Sequence, residues 1–345
     1  MKVLVTGGCG FLGSHVCEFY AKRGDEIIAF DNLTKHELKR TGYNAEAARK
    51  HVLNFLDDLG VNIINGDIRN RDELSEASKD CDYIIHTAAQ PAMTISIEMP
   101  ELDLSTNVIG TFNVLEAARK YKVPVVFCST IHVYGNKINE TLREGDTRFL
   151  RDPPAINEDY PIMKGRITRL HASKRAAELY VQTYIHTYGI EAAIFRLSGL
   201  YGPRQFGGED HGWVANFTIR TILGNPITIF GTGKQIRDIL YATDAVEAFD
   251  AFYKARKSGI YNIGGGIKRA ISLIECIKLI EEIRGKKVEI KYAPRRTGDL
   301  WYFVCDITKA KKNLNWEPRI LNEEGIRRLI EWVQENIEMF RGESV

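Results

Sequence analysis

Three glycines near the start of the chain stand at a spacing suited to cradling phosphates. Gly7, Gly10 and Gly13 read GxxGxxG, directly after the apolar run MKVLVT and before an apolar helix pattern at Val16, Phe19 and Tyr20. A side chain in such a turn would keep the backbone away from a pyrophosphate. One at the third position would hold the helix off the sheet. The helix N-terminus then offers free N–H groups and the positive end of its dipole to the phosphates. The next apolar run, EIIAF, ends on Asp31. A carboxylate there can accept both ribose hydroxyls and repels a 2′-phosphate, so the pattern predicts NAD(H) rather than NADP(H). The triplet is informative because it lies between a strand and a helix, with an acidic residue closing the following strand.

A second group of chemistry-bearing residues closes the apolar run VVFCST. Ser129 and Thr130 end it, and His132 and Tyr134 follow within four positions. The C-terminal ends of parallel strands face the ligand, so these hydroxyls are candidates to hydrogen-bond a substrate hydroxyl or carbonyl. An imidazole at His132 titrates near neutrality and can serve as acid or base. The cysteines at 9, 17, 81, 128, 276 and 305 form no CxxC pair, and several sit in apolar runs. They read as buried small hydrophobes in a reducing compartment, and no metal site is expected.

These residues need a sheet to position them, and the first half of the chain supplies the pattern. Apolar runs at MKVLVT, EIIAF, VNIIN, YIIHTAA and VPVVFCST alternate with helical stretches, and the sheet is expected to continue through 191–198 and 261–265. Such alternation predicts right-handed crossovers and an α/β fold, a Rossmann-type doubly wound parallel sheet. The polar, proline-containing segment 136–160 reads as a surface excursion near the site. From about Gly199 the rhythm weakens, and amphipathic helices at about 270–284 and 322–340 close the chain. The expected division is a cofactor domain of 1–198 plus about 239–266. A smaller C-terminal substrate lobe takes about 199–238 plus 267–345. The 345 residues carry a formal charge of +2 with both signs interspersed, which gives no field for nucleic acid. No apolar stretch approaches membrane-spanning length, and the opening residues read as a core strand rather than a removable signal. A cytoplasmic protein is expected.

Taken together the motifs resemble a known family. GxxGxxG, Gly66-Asp67, STxxVYG, SK followed by an AAE helix, Arg196 in FRLSGLYGPRQ, GxGxQxRD and a late RxGD occur in that order. They are similar to the extended short-chain dehydrogenase/reductases that act on nucleotide sugars, from Met1 to about Pro318. DNL, GDIRN, QPAMTISI, GLYGPRQF followed by HGWV, and GKQIRDIL resemble more closely the CDP-paratose (CDP-tyvelose) 2-epimerases. The resemblance implies that Gly7, Gly10, Phe11, Leu12, Gly13, Asp31 and Asn32 hold the adenosine diphosphate part of NAD. Asp67 and Ile68 would flank the adenine. The Ala88-Ala89-Gln90 turn would pass beside the cofactor, and Asn107 would support the strand ends. Lys174 would hold the nicotinamide ribose, while Ser129 and Thr130 would contact the sugar. Arg237 and Arg296 would grip the nucleotide diphosphate, for which paired guanidinium donors are well matched. Thr94, Arg204, Gln205 and Asp299 would complete the substrate pocket.

One position departs from the family pattern. Members carry YxxxK, and the tyrosine place before Lys174 holds Leu170. A literal YxxxK at Tyr160–Lys164 precedes the helix, with Pro161 directly after the tyrosine, and reads as coincidence. The candidates to replace the missing base rank as His132, then Tyr160, then His171. Ile131 and His132 stand where dehydratases carry an Asp-Glu pair, which argues against ordinary 4,6-dehydration. The implied activity is an NAD-dependent nucleotide-sugar epimerase acting through a transient keto-sugar on a CDP-, UDP- or GDP-linked substrate. The alternatives are another nucleotide-sugar conversion (4-epimerase, dehydratase or oxidoreductase), or a binding protein whose chemistry is impaired with the tyrosine. The resemblance also implies a homodimer through helices at about 101–120 and 166–188.

Overall fold

The computed structural model describes all residues except 35, 37, 297 and 343–345. Seven parallel strands form the central sheet: β1 (Lys2–Thr6), β2 (Glu26–Asp31), β3 (Asn62–Asn65), β4 (Tyr83–His86), β5 (Val125–Thr130), β6 (Ala192–Leu197) and β7 (Gly259–Ile263). Their order is β7-β6-β5-β4-β1-β2-β3. The chain winds outward in both directions from the β1/β4 neighbours, so a crevice opens at the carboxyl ends of these strands. β1, β4, β5 and β6 are almost wholly apolar and buried, as a sheet covered on both faces requires.

Helix α1 (Phe11–Lys22) follows β1, α2 (Thr111–Tyr121) precedes β5, and α3 (Arg169–Tyr188) precedes β6. The expected single helix over 101–120 is three pieces. A short helix Pro100–Leu104 runs into a π-turn at Ser105–Gly110 and then into α2. The π-turn holds Asn107, whose amide bonds both backbone groups of Gln90: Oδ1 accepts its N–H at 2.9 Å and Nδ2 donates to its carbonyl at 3.1 Å.

The smaller lobe is built on the strand Ile236–Tyr241. It runs parallel to Gly199–Tyr201 and Tyr302–Phe303 and antiparallel to Ala270–Ser272. The expected boundary at 239 therefore falls inside a strand, and the return to the large sheet begins with the helix Ala242–Ala255. The final residues of the expected lobe, 343–345, lie outside the described residues. The helix Leu273–Arg284 starts with a capping box. Ser272 Oγ accepts from the Glu275 N–H at 3.2 Å, and the Glu275 carboxylate accepts from the Ser272 N–H at 2.9 Å. One hydrophobic core runs through both lobes, from Val3 and Val5 of β1 to Leu329 and Ile330 of the last long helix.

The segment 136–160 does not border the crevice. Ile138, Phe149 and Ile156 bury themselves against Leu300, Phe303 and Val304 of the smaller lobe. No helix among the described residues is long and apolar enough to cross a membrane. The six cysteines are buried, as their apolar surroundings suggest.

Candidate functional site

A cleft of about 630 Å³ lies along the strand ends between the two lobes. Its floor is the glycine turn. Gly7 has a left-handed φ of +71°, and a Cβ there would lie 2.7 Å from the Ala88 nitrogen. A Cβ on Gly13 would lie 2.0 Å from the Gly7 carbonyl oxygen, so the third glycine lets α1 seat against the turn. Gly10 caps α1 with no side-chain hydrogen bond. The first N–H groups of α1 therefore keep their donors for an anion, and Phe11, Leu12 and Gly13 line the cleft. These features fit a dinucleotide diphosphate.

The acidic residue sits where the sequence predicts. Asp31 closes β2, and its carboxylate accepts the Cys9 N–H at 3.0 Å and the Leu33 N–H at 2.8 Å. Asp67 and Ile68 form the next part of the wall. Asp67 accepts from Arg69 and from Asn32 Nδ2 at 3.0 Å, and these bonds, Arg69 first, hold its carboxyl down at about 2. Ala88, Ala89 and Gln90 line the opposite side. Asn107, expected among the cofactor-binding residues, does not line the cleft; it stands behind the turn and holds Gln90 through two hydrogen bonds.

The end of β5 faces helix α3 across the centre of the cleft. Lys174 is buried, and its Nζ donates to the Cys128 carbonyl at 3.0 Å and lies 5.1 Å from the Phe127 ring centroid. Burial pushes its ammonium down to about 8. Leu170, one helical turn earlier, also lines the cleft and is buried. Thr130 Oγ1 accepts the His132 N–H at 3.2 Å. His132 lines the cleft, its Nδ1 is buried without a partner among the described residues, and burial holds the ring well below 6.5.

Three expected site residues are placed differently. Ser129 Oγ donates to Glu178 Oε1 at 2.6 Å, and Glu178 is fully buried and paired through both oxygens with Arg196. The Ser129 hydrogen is therefore committed to a buried ion pair, and toward the cleft its hydroxyl can only accept. Tyr160 is not part of the cleft wall; its ring packs near Tyr134 and under Arg151. Proline at 161 and the loop before α3 carry it away from the strand ends. Arg204 borders the cleft, but its guanidinium points into α1. It donates to Ser14 Oγ at 3.0 Å, His15 Nδ1 at 2.9 Å and Glu18 Oε2 at 2.5 Å. It acts as a clamp between the lobes.

The end of the cleft away from the glycine turn is closed by the smaller lobe. Arg237 gives two donors to the Ile236 and Leu300 carbonyls and lies 3.5 Å from Asp299. Arg296 stacks 3.7 Å from the Phe230 centroid and donates to the Glu209 carbonyl at 2.7 Å. Thr94 Oγ1 donates to Asp210 at 3.0 Å, and Gln205 Nε2 donates to the Leu200 carbonyl at 3.1 Å. All of these residues except Ile236 and Leu300 line the cleft. Sequence reasoning missed Asp210 and Phe230. The only signal was their position in polar and apolar stretches beside PRQF and GTGKQ, which does not say which way a loop side chain turns.

A model of the NAD dependent epimerase/dehydratase family matches residues 3–264. The chain is 34% identical over 345 residues to the CDP-paratose 2-epimerase of Salmonella typhi, covering 96% of this chain and 99% of that one. The UDP-glucose 4-epimerase of Thermus thermophilus, solved in complex with NAD, superposes with a TM-score of 0.78 at 31% identity, covering 97% of this chain and 99% of that chain. The UDP-glucose 4-epimerase of Thermotoga maritima, solved with UDP-glucose, gives 0.80 at 30% identity, covering 98% and 100%.

Proposed function

The chain belongs to the NAD dependent epimerase/dehydratase family, and from that premise we propose that it is an NAD-dependent nucleotide-sugar epimerase of the CDP-paratose 2-epimerase kind. The observation that carries this reading is a single cleft. It joins the glycine cradle and Asp31 at one end to Lys174, Thr130 and His132 at the centre and Arg237 and Arg296 at the other. NAD held there would supply a hydride acceptor and donor for a ring carbon of the sugar, so the epimerisation would leave no net redox change.

The residues of this chain divide the remaining work. The N-terminus of α1 and Asp31 hold the adenosine half. Lys174, whose Nζ has one acceptor among the described residues, keeps donors for the nicotinamide ribose. Thr130 orients the reacting hydroxyl. His132 takes and returns the hydroxyl proton, because it is the one imidazole of the ranked candidates that borders the cleft. Arg237 and Arg296 hold the nucleotide diphosphate while the keto-sugar presents its other face. CDP is the nucleotide we assign, with UDP and GDP as comparisons.

His132→Asn should lower the rate of NAD reduction in a single turnover with CDP-sugars by ~10²–10⁴. A wild-type rate in that variant removes His132 from the mechanism. Leu170 favours a second reading, a nucleotide-sugar and NAD binding protein without turnover. Tight NAD binding with no absorbance change across CDP-, UDP- and GDP-sugars would establish it.

We also place the protein in the cytoplasm as a homodimer. Exposed apolar residues on the short helix before the π-turn and on α3 (Leu104, Leu179, Tyr188) support the dimer.

A further inference from the structure

His132 and His171 lie face to face beside the cleft, with ring centroids 5.3 Å apart and planes within 9° of parallel. His132 sits on the turn after β5, and His171 lies in the first turn of α3. His171 is fully buried, and its Nδ1 accepts the backbone N–H of Thr168 at 2.9 Å. A backbone N–H can only donate, so Nδ1 carries the lone pair and the ring hydrogen is on Nε2. That Nε2 is buried with no partner among the described residues, and so is Nδ1 of His132.

Protonating His171 would place a hydrogen on Nδ1 against the Thr168 N–H and release the start of α3. Its surroundings oppose the charge as well: burial holds it down to about 4. The groups around His132 act in the same direction. After burial, His171 from α3 and Arg237 from the strand Ile236–Tyr241 disfavour a second positive charge, and the Asp299 carboxylate is turned to Arg237. The turn carrying Gly298 closes over His171: a Cβ on Gly298 would lie 4.0 Å from His171 Cε1. A buried polar group without a partner is destabilising, so two such groups in one stack are a poor way to fill a core.

We infer that His171 is a positioning residue: the start of α3 clamps it in one neutral tautomer, and its ring fixes the plane of His132, the member of the pair that borders the cleft. The inference rests on the reading of His132 as the working acid and base. It assigns a role to the residue beside Leu170, where the phenol of the family pattern is absent.

The first test is ¹⁵N-histidine NMR on the full chain with NAD added, which needs no turnover. His171 should show an unprotonated, hydrogen-bonded Nδ1 and a protonated Nε2 from about pH 5 to 8. His171→Phe, which keeps a flat ring but no acceptor, should shift the His132 nitrogen signals. A His171 that carries its proton on Nδ1, or that titrates in this range, overturns the inference, as do unchanged His132 signals in the variant. The second test is kinetic. His171→Gln keeps an acceptor for Thr168, so its thermal midpoint should stay near wild type. Its single-turnover rate should fall by roughly tenfold or more, with CDP affinity within about twofold. A wild-type rate and pH profile in His171→Gln would also overturn it. If no nucleotide sugar turns over, the function assigned above fails, and the NMR result alone decides the tautomer and the coupling.

Discussion

At the scale of single residues, the cofactor end is simple and the reacting centre is unusual. Asp31 is held at the end of β2 by two backbone N–H groups, which fixes its charge at the cleft end proposed for the adenosine ribose. Asp31→Ala should reduce the preference for NAD over NADP by at least about tenfold, or ~1.4 kcal/mol, in a binding titration. Equal affinities in the wild type would remove the carboxylate from the argument. Lys174 gives a second prediction with a defined sign. Burial lowers its pKa from 10.5 to about 8 in the folded state. Between those values the unfolded chain holds a proton that the folded chain does not, so this group makes stability rise with pH across that window. Below about 8 both states hold it, and the penalty for burying the charge is fully present. Lys174→Met should therefore abolish single turnover while raising stability at pH 7 by about 1–3 kcal/mol in urea unfolding. A loss of stability of that size would mean that the bond to the Cys128 carbonyl outweighs the desolvation.

At the scale of elements, the parts written in local spacing were legible and the parts set by distant contacts were not. The glycine turn, β2 ending on Asp31, and β5 ending on Thr130 follow from apolar runs closed by polar residues, and these elements line the cleft. The continuation of the sheet through β6 and β7 was also readable, because both runs are apolar along most of their length. The break of the helix before α2 was not. Nothing in STNVIG marks a π-turn; the cause is Gln90, seventeen positions earlier, whose backbone groups Asn107 must reach. Ser129 and Arg204 show the same limit. Their types suit a sugar or a phosphate, but their partners, Glu178 and α1, lie far away in sequence. For Tyr160 the loop path decided, and spacing to Lys164 carried no information on it. The seat of α1 is a property of the element pair, and Gly13→Ala tests it. With a Cβ expected 2.0 Å from the Gly7 oxygen, α1 must shift outward. The substitution should cost about 1–3 kcal/mol in thermal or urea unfolding and weaken NAD binding in parallel. A variant that lost NAD affinity with no loss of stability would place the effect in the phosphate contact instead of the packing.

At the scale of the whole molecule, the cleft and the proposed dimer surface share one segment. The stretch Pro100–Gly110 turns Leu102 and Thr106 toward the cleft and anchors Gln90 through Asn107. Its other face leaves Leu104 and Ile109 about half exposed, beside Leu179 and Tyr180 of α3 in the same state. Phe112 bridges the two helices, with its ring centroid 6.1 Å from that of Tyr180. A pair of helices carrying such a stripe can meet its own copy about a twofold axis, which makes a self-complementary four-helix contact. These side chains are already about half buried, so removing the rest from water contributes roughly half of the ~1.5–3 kcal/mol of full burial each, and a dimer at micromolar concentration needs the whole stripe from both copies. Light scattering should give twice the 39.1 kDa chain mass for the wild type. Ile109→Arg combined with Leu179→Arg should give the monomer, since both charges would be buried in the contact without partners. The coupling to the site makes the prediction sharper. If the partner copy steadies the π-turn, the monomeric variant should bind NAD and the nucleotide sugar several-fold more weakly, although neither substituted residue touches the cleft. A wild type that runs as a monomer sinks the dimer. A monomeric variant with unchanged affinities keeps the dimer and shows that the cleft is complete within one chain.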